Sequence, residues 1–277
     1  MRKPELITVY YDTERKKYFL KTRHGDRYLA SVSELVSRYC FKMTDEIRDK
    51  AAEKHAKKRK MTKEAILEEW KRNYEDKTDY GNELHNDMAG TPNLTPVNKP
   101  TNKIIEYHYT QISDLPVGDY SEIRIFCPKF YVSIRIDRLI ITTDGNGKRY
   151  ARIIDYKTGA LIMEKKNDSG MVYRMKPPIQ MFPDSPGGKA AVQVQLYRQI
   201  LLAHGFDNVR AELWHEASVP SETPSFMEYT NTEILNGRTF QVYTVEHNAK
   251  AMFFVLNEHK HEIWKKTISN TIRTQMF

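Results

Sequence analysis

The chain has 277 residues, 40% of them hydrophobic and 11% aromatic, enough for a substantial core in one elaborated domain and inconsistent with extended disorder. Its 44 Lys and Arg against 36 Asp and Glu give a formal charge of +8, which favours a polyanionic partner such as nucleic acid. No run approaches the roughly 18 apolar residues needed to cross a membrane, the opening MRKPELITVY lacks the apolar core of a secretory signal and so points to the cytosol, and Cys40 and Cys127 are too few for a disulfide framework or a four-cysteine iron-sulfur cluster.

In chain order, LITVYYDTERKKYFLKT reads as two strands around a charged turn, and SVSELVSRYC as a short helix with Ser31 and Glu34 in capping-box spacing. From Thr44 to about Met88 the pattern is helical, broken near KKRKMT. The basic run Lys57, Lys58, Arg59 and Lys60 at that break suits a solvated helix end or a contact with a phosphate backbone. Residues 89 to 102 hold three prolines and no periodicity, and read as a loop. YSEIRIFCP and FYVSIRIDRLIITT alternate as strands, DGNG turns, and KRYARIIDYKT returns. KAAVQVQLYRQILLAHG is the clearest helix, with Val192, Leu196 and Ile200 on one face and Gly205 where a C-terminal cap belongs. The stretch from Met171 to Gly188 reads as a mobile loop long enough to cover a site. Strands at VRAELWHEA and TFQVYTVEH and a helix from about Asn248 complete a single domain, divided into residues 1 to 102, 103 to 205 and 206 to 277.

The stretch ARIIDYKTG places Asp155 and Lys157 on one face of a strand. An acid-x-Lys triplet alone carries little weight, since Glu14, Glu69, Glu75, Glu164 and Glu258 also begin one. The hairpin distinguishes this one: a three-residue loop, Gly145-Asn146-Gly147, sets Thr143 against Arg149 and Asp137 against Asp155. A two-residue loop would put the two acids on opposite faces. Opposed carboxylates repel unless something positive lies between them, either Lys157 or a hard divalent cation such as Mg²⁺ or Mn²⁺. An ordinary strand-end salt-bridge network accounts for the triplet and hairpin about as well.

Asp137 in IRIDRL, the strand end IIDYKTG and the helix QVQLY, with Gly81 and His85 in GNELH upstream, resemble in order and spacing the RecB-type branch of the PD-(D/E)XK nucleases. SVSELVSRY and KEAILEEWKRN are similar to segments of phage-encoded members, so the resemblance runs from about Ser31 to Tyr197. It implies a restriction-endonuclease-like α/β core, a central mixed sheet flanked by helices, with an N-terminal helical elaboration. It implies that Asp137, Asp155 and the Tyr156 carbonyl hold Mg²⁺ or Mn²⁺, with His85 and Glu122 as further ligands. Lys157 becomes the catalytic lysine, steadied with the substrate strand by Gln193 and Tyr197. The implied activity is metal-dependent hydrolysis of DNA, as an exonuclease in phage or bacterial replication, recombination or repair. The alternatives are a structure-specific endonuclease and a nucleic-acid-binding protein on an inactive fold. Lys57 to Lys60 and Arg138 are the expected DNA contacts, and homo-oligomerisation stays open. Ile134 stands where the family usually has glycine.

Overall fold

The computed structural model describes residues 6–22, 25–87, 94–97, 103–158, 170–216 and 226–275. Two sheets organise them. Strands β1 (Leu6–Asp12), β2 (Lys17–Thr22), β3 (Gly25–Tyr28), β5 (Leu94–Pro96) and β6 (Ile104–Thr110) form an antiparallel sheet in the order β3-β2-β1-β6-β5. The expected first hairpin forms as β1 and β2. The proline-containing stretch departs from the loop reading, because Leu94–Pro96 pairs with β6 across Leu94 and Tyr109; Pro96 ends the strand at a sheet edge, where its missing N–H is tolerated.

The central sheet is mixed. It runs β11 (Glu228–Leu235), β12 (Arg238–Thr244), β10 (Asn208–Glu216), β9 (Arg149–Lys157), β8 (Val132–Thr143) and β4 (Ala30–Ser31), with β7 (Gly118–Cys127) also paired to β8. Strand β9 is antiparallel to β8 and parallel to β10, so the crossover between β9 and β10 carries a helix over one face of the sheet. That helix is α4 (Pro186–Ala203).

Five α-helices are found among the described residues. Helix α1 (Val32–Arg38) starts where Ser31 Oγ accepts the Glu34 N–H at 3.1 Å. Only half of the expected capping box forms, because the Glu34 carboxylate turns to Lys17 Nζ at 3.0 Å. Helix α2 (Asp45–Arg59) ends at Lys60, in the left-handed region at φ 55°, and α3 (Lys63–Asp87) follows, with the break where the sequence put it. Val192, Leu196 and Ile200 of α4 are fully buried, and Gly205 at φ 88° follows the cap. Helix α5 (Ala249–Gln275) begins where Asn248 Oδ1 accepts the Ala251 N–H at 3.0 Å.

The main core joins α1, α4 and α5 to one face of the central sheet, while Ile154, Tyr156, Trp214, Phe240 and Val242 pack on the other. The segment from Met171 to Gly188 is not the loose cover the sequence suggested. Met175, Ile179 and Phe182 are buried in the core, Arg174 bridges to Pro183, and α4 already begins at Pro186. Three apolar side chains in that stretch gain more from burial than a free loop would from entropy.

Candidate active site

The hairpin decides the site. Asp144 N–H donates to the Lys148 carbonyl at 3.1 Å, enclosing the loop Gly145-Asn146-Gly147. Gly147 takes φ 78°, the left-handed position that closes such a loop, and Thr143 lies opposite Arg149. The ladder continues to Arg138 opposite Ile154, and the same register carries Asp137 to the position across from Asp155.

Both acids are buried, at 5% and 1% exposure. Asp137 Oδ2 accepts the Tyr156 N–H at 2.8 Å. Lys157 Nζ makes a close ion pair with Asp155 Oδ2 and lies 3.3 Å from the Tyr156 carbonyl oxygen. Burial works against the charge of Lys157, but the Asp155 and Asp137 carboxylates outweigh it and its pKa is raised. Gln193 and Tyr197, one turn apart on α4, meet over the pair: Gln193 Nε2 donates to Tyr197 Oη at 2.5 Å and to Asp155 Oδ1 at 3.4 Å. Burial first, then the negative charges of Asp155 and Asp137, push the Tyr197 phenol well above its ordinary pKa and keep it neutral.

These groups open into a cavity of about 290 Å³, with Ser31 and Ser33 at the start of α1 and Arg124, Ser133, Ile134 and Arg135 on the strands. The sequence reading missed the two arginines and the serines. Strand alternation could have found Arg135, two residues before Asp137 and thus on its face. It could have found Ser133 in the same way, and pairing of the consecutive strands β7 and β8 sets Arg124 opposite Arg135, whereas Ser31 and Ser33 needed the tertiary structure that brings the start of α1 to β8.

The remaining candidates do not line this cavity among the described residues. Glu122 sits in the left-handed region at φ 53°, in the gap of the β7–β8 ladder across from Asp137, and its carboxylate pairs with Arg135 Nε at 3.0 Å. Among the described residues no three His, Cys, Asp or Glu side chains gather as a metal cage. A non-glycine residue held at positive φ beside a functional site is a place where a fold stores strain. Arg138 points away from the cavity, because adjacent strand residues alternate faces; it forms a forked pair with Asp119 at 2.6 and 3.0 Å. Lys57, Lys58 and Arg59 occupy the last turn of α2 at the negative end of its dipole, and Arg59 is tied to Glu69 at 2.8 Å. His85 lies near the end of α3, a helix that runs close to β9, but its side chain is outside the described residues.

The model of the PD-(D/E)XK nuclease superfamily matches residues 29–276. The chain belongs to this superfamily. No curated protein and no solved structure matches it. As a PD-(D/E)XK chain it is a nuclease by kinship, a hydrolase directed at nucleic acid, in a superfamily that generally uses divalent metal ions. The side chains fit such an ion: Asp137 and Asp155 are hard oxygen donors set side by side and buried, and Asp155 Oδ2 has Lys157 Nζ as its charged neighbour. The mixed sheet flanked by helices is the restriction-endonuclease-like core of that superfamily. No helix among the described residues is long and apolar enough to cross a membrane.

Proposed function

We propose that this chain is a Mg²⁺- or Mn²⁺-dependent deoxyribonuclease of the RecB-type branch, degrading DNA from its ends in phage or bacterial replication, recombination or repair, in the cytosol. What carries the reading is the meeting of Asp137, Asp155, Lys157, Gln193 and Tyr197 around one cavity, drawn from two strands and a helix. The Asp137 and Asp155 carboxylates and the Tyr156 carbonyl would hold the ion, with His85 as a further ligand. When bound, it would supply charge to polarise the phosphate and acidify the attacking water.

The protein's own groups do the rest. Lys157, kept cationic by the two carboxylates, orients the water and offsets negative charge developing on the phosphoryl oxygens. Gln193 holds Asp155 in its rotamer, and Tyr197 holds Gln193. Arg135, braced by Glu122, and Arg124 line the cavity where phosphates flanking the scissile bond would lie. Lys57, Lys58 and Lys60, exposed at the end of α2, suit a looser grip on the backbone. The sequence has no helix-turn-helix or zinc module to read bases, which favours ends over specific sites.

The test is cleavage of end-labelled single- and double-stranded DNA with Mg²⁺, Mn²⁺ or EDTA, comparing wild type with Lys157→Ala. Mononucleotides released from an end, dependent on metal and on Lys157, are the expected outcome. Internal cuts at junctions or flaps would replace the exonuclease with a structure-specific endonuclease. No cleavage by folded wild type on any substrate would leave a nucleic-acid-binding protein, with Ile134 in the cavity wall as the substitution to examine.

A further inference from the structure

A second cavity, of about 970 Å³, shares no lining residue with the first and lies between α4, the end of β12 and the start of α5. Arg198 lines it with a guanidinium that has no counter-charge: its Nε is buried without a hydrogen bond, and no ion pair holds it among the described residues. Burial alone pulls the Arg198 pKa down, with no carboxylate to oppose it. His247, on the same wall, has Nε2 buried without a partner. Burial and then the charge of Arg198 press its pKa down to about 4, so the two groups are electrostatic neighbours. Glu228 and Glu246 are exposed on the lining and pair with neither. Lys250 and Ala249 bring the positive end of α5 to the same space. Phe226 and Met227 supply an apolar wall.

An unpaired cation and an unpartnered imidazole set together in a partly buried cavity cost the fold stability unless an anion completes them. A guanidinium presents the fork that phosphate oxygens fill, and the apolar wall suits the nucleoside that a phosphate carries. We infer that this cavity binds the phosphate of a nucleotide or of a nucleic-acid strand end, gripped by Arg198 and His247. The site stands independently of the nuclease reading.

The experiment is a thermal melt in EDTA, which keeps divalent ions from the carboxylates, exchanging chloride for inorganic phosphate at equal ionic strength. Wild type should rise by roughly 2–4 °C. Arg198→Met should lose that response while melting at or above wild type in chloride, because an unpaired charge has gone. The His247 ring resonances of wild type, followed by NMR as phosphate is added, should shift, a readout that survives if the variant does not fold. No response in wild type, or the same response in Arg198→Met, overturns the site. A larger rise with deoxynucleoside monophosphate than with phosphate identifies a nucleotide. A preference for a 5′- or 3′-phosphorylated oligonucleotide over its unphosphorylated form, lost in Arg198→Met, identifies a strand end. A response to inorganic phosphate without either gain overturns the nucleotide and strand assignments.

Discussion

Asp155 and Lys157 form a buried acid and a half-buried amine in direct contact, with Asp137 beside them, and the two carboxylates hold Lys157 in its charged state. In the proposed mechanism, removing Lys157 takes away the group that faces the developing charge. Lys157→Ala should therefore lower the cleavage rate by about 10²–10³-fold, measured as single-turnover kinetics on labelled DNA. Asp155→Asn keeps the shape of the side chain and loses its charge. Wild type should melt at a higher temperature with Mn²⁺ than with EDTA, and Asp155→Asn should show no such difference. Gln193 touches Asp155 rather than Lys157, so any effect it has on the proposed site runs through that carboxylate. Gln193→Ala should cost about 10–100-fold in activity or metal affinity, with a metal titration separating the two. These residues were legible from spacing and resemblance. That Gln193 steadies Asp155 was not, because spacing places residues on a face without saying which atoms meet.

Two elements hold the site in register, the β8–β9 hairpin and the start of α4. The hairpin was readable because DGNG between two alternating runs marks a turn; its register was settled by the structure, where Gly147 supplies the positive φ that the three-residue loop demands. The start of α4 was misread. Its cap is Ser185, whose Oγ accepts the Gly188 N–H at 3.1 Å, and the two glycines after Pro186 hid a helix that tertiary contact completes. A Cβ at Gly188 would lie 2.0 Å from the Pro183 carbonyl oxygen, a backbone atom that cannot turn aside. Ser185→Ala should cost about 1 kcal/mol, and Gly188→Ala should cost more, both measured as denaturation midpoints. Gly188→Ala should also lower activity, since α4 carries Gln193 and Tyr197.

Across the whole molecule, several histidines are held neutral by burial. His247 is pressed down to about 4, and His259 and His204 are also lowered, each by desolvation first. Between their ordinary value of 6.5 and the lowered folded values, the unfolded chain takes up protons that the folded chain refuses. Stability is therefore full above pH 6.5 and falls as pH drops towards 4. A melting series across that window should show the decline, and His247→Gln should flatten its lower part. At the other end of the scale, burial pushes the Cys40 and Cys127 thiols up to about 11, so both should resist alkylation in the native state at pH 8 and react on unfolding.

The sequence by itself determined the local elements around the site: the hairpin, the helix pair broken near KKRKMT, and the α4 face bearing Gln193 and Tyr197, while the choice of a three-residue loop, and with it the register, came from the structure. Periodicity, turn residues and caps act over a few neighbours, so they are written in a few neighbours. Only the tertiary structure decided that β1 pairs with β6, about a hundred residues away at Leu6 and Thr110, that β10 lies parallel to β9, and that Ser31 and Ser33 at the start of α1 complete the cavity. It also turned Glu122 to Arg135 and Arg138 to Asp119, and left Arg198 Nε buried without a hydrogen bond among the described residues. Those outcomes depend on which distant surfaces bury one another, and burial is a property of the whole core.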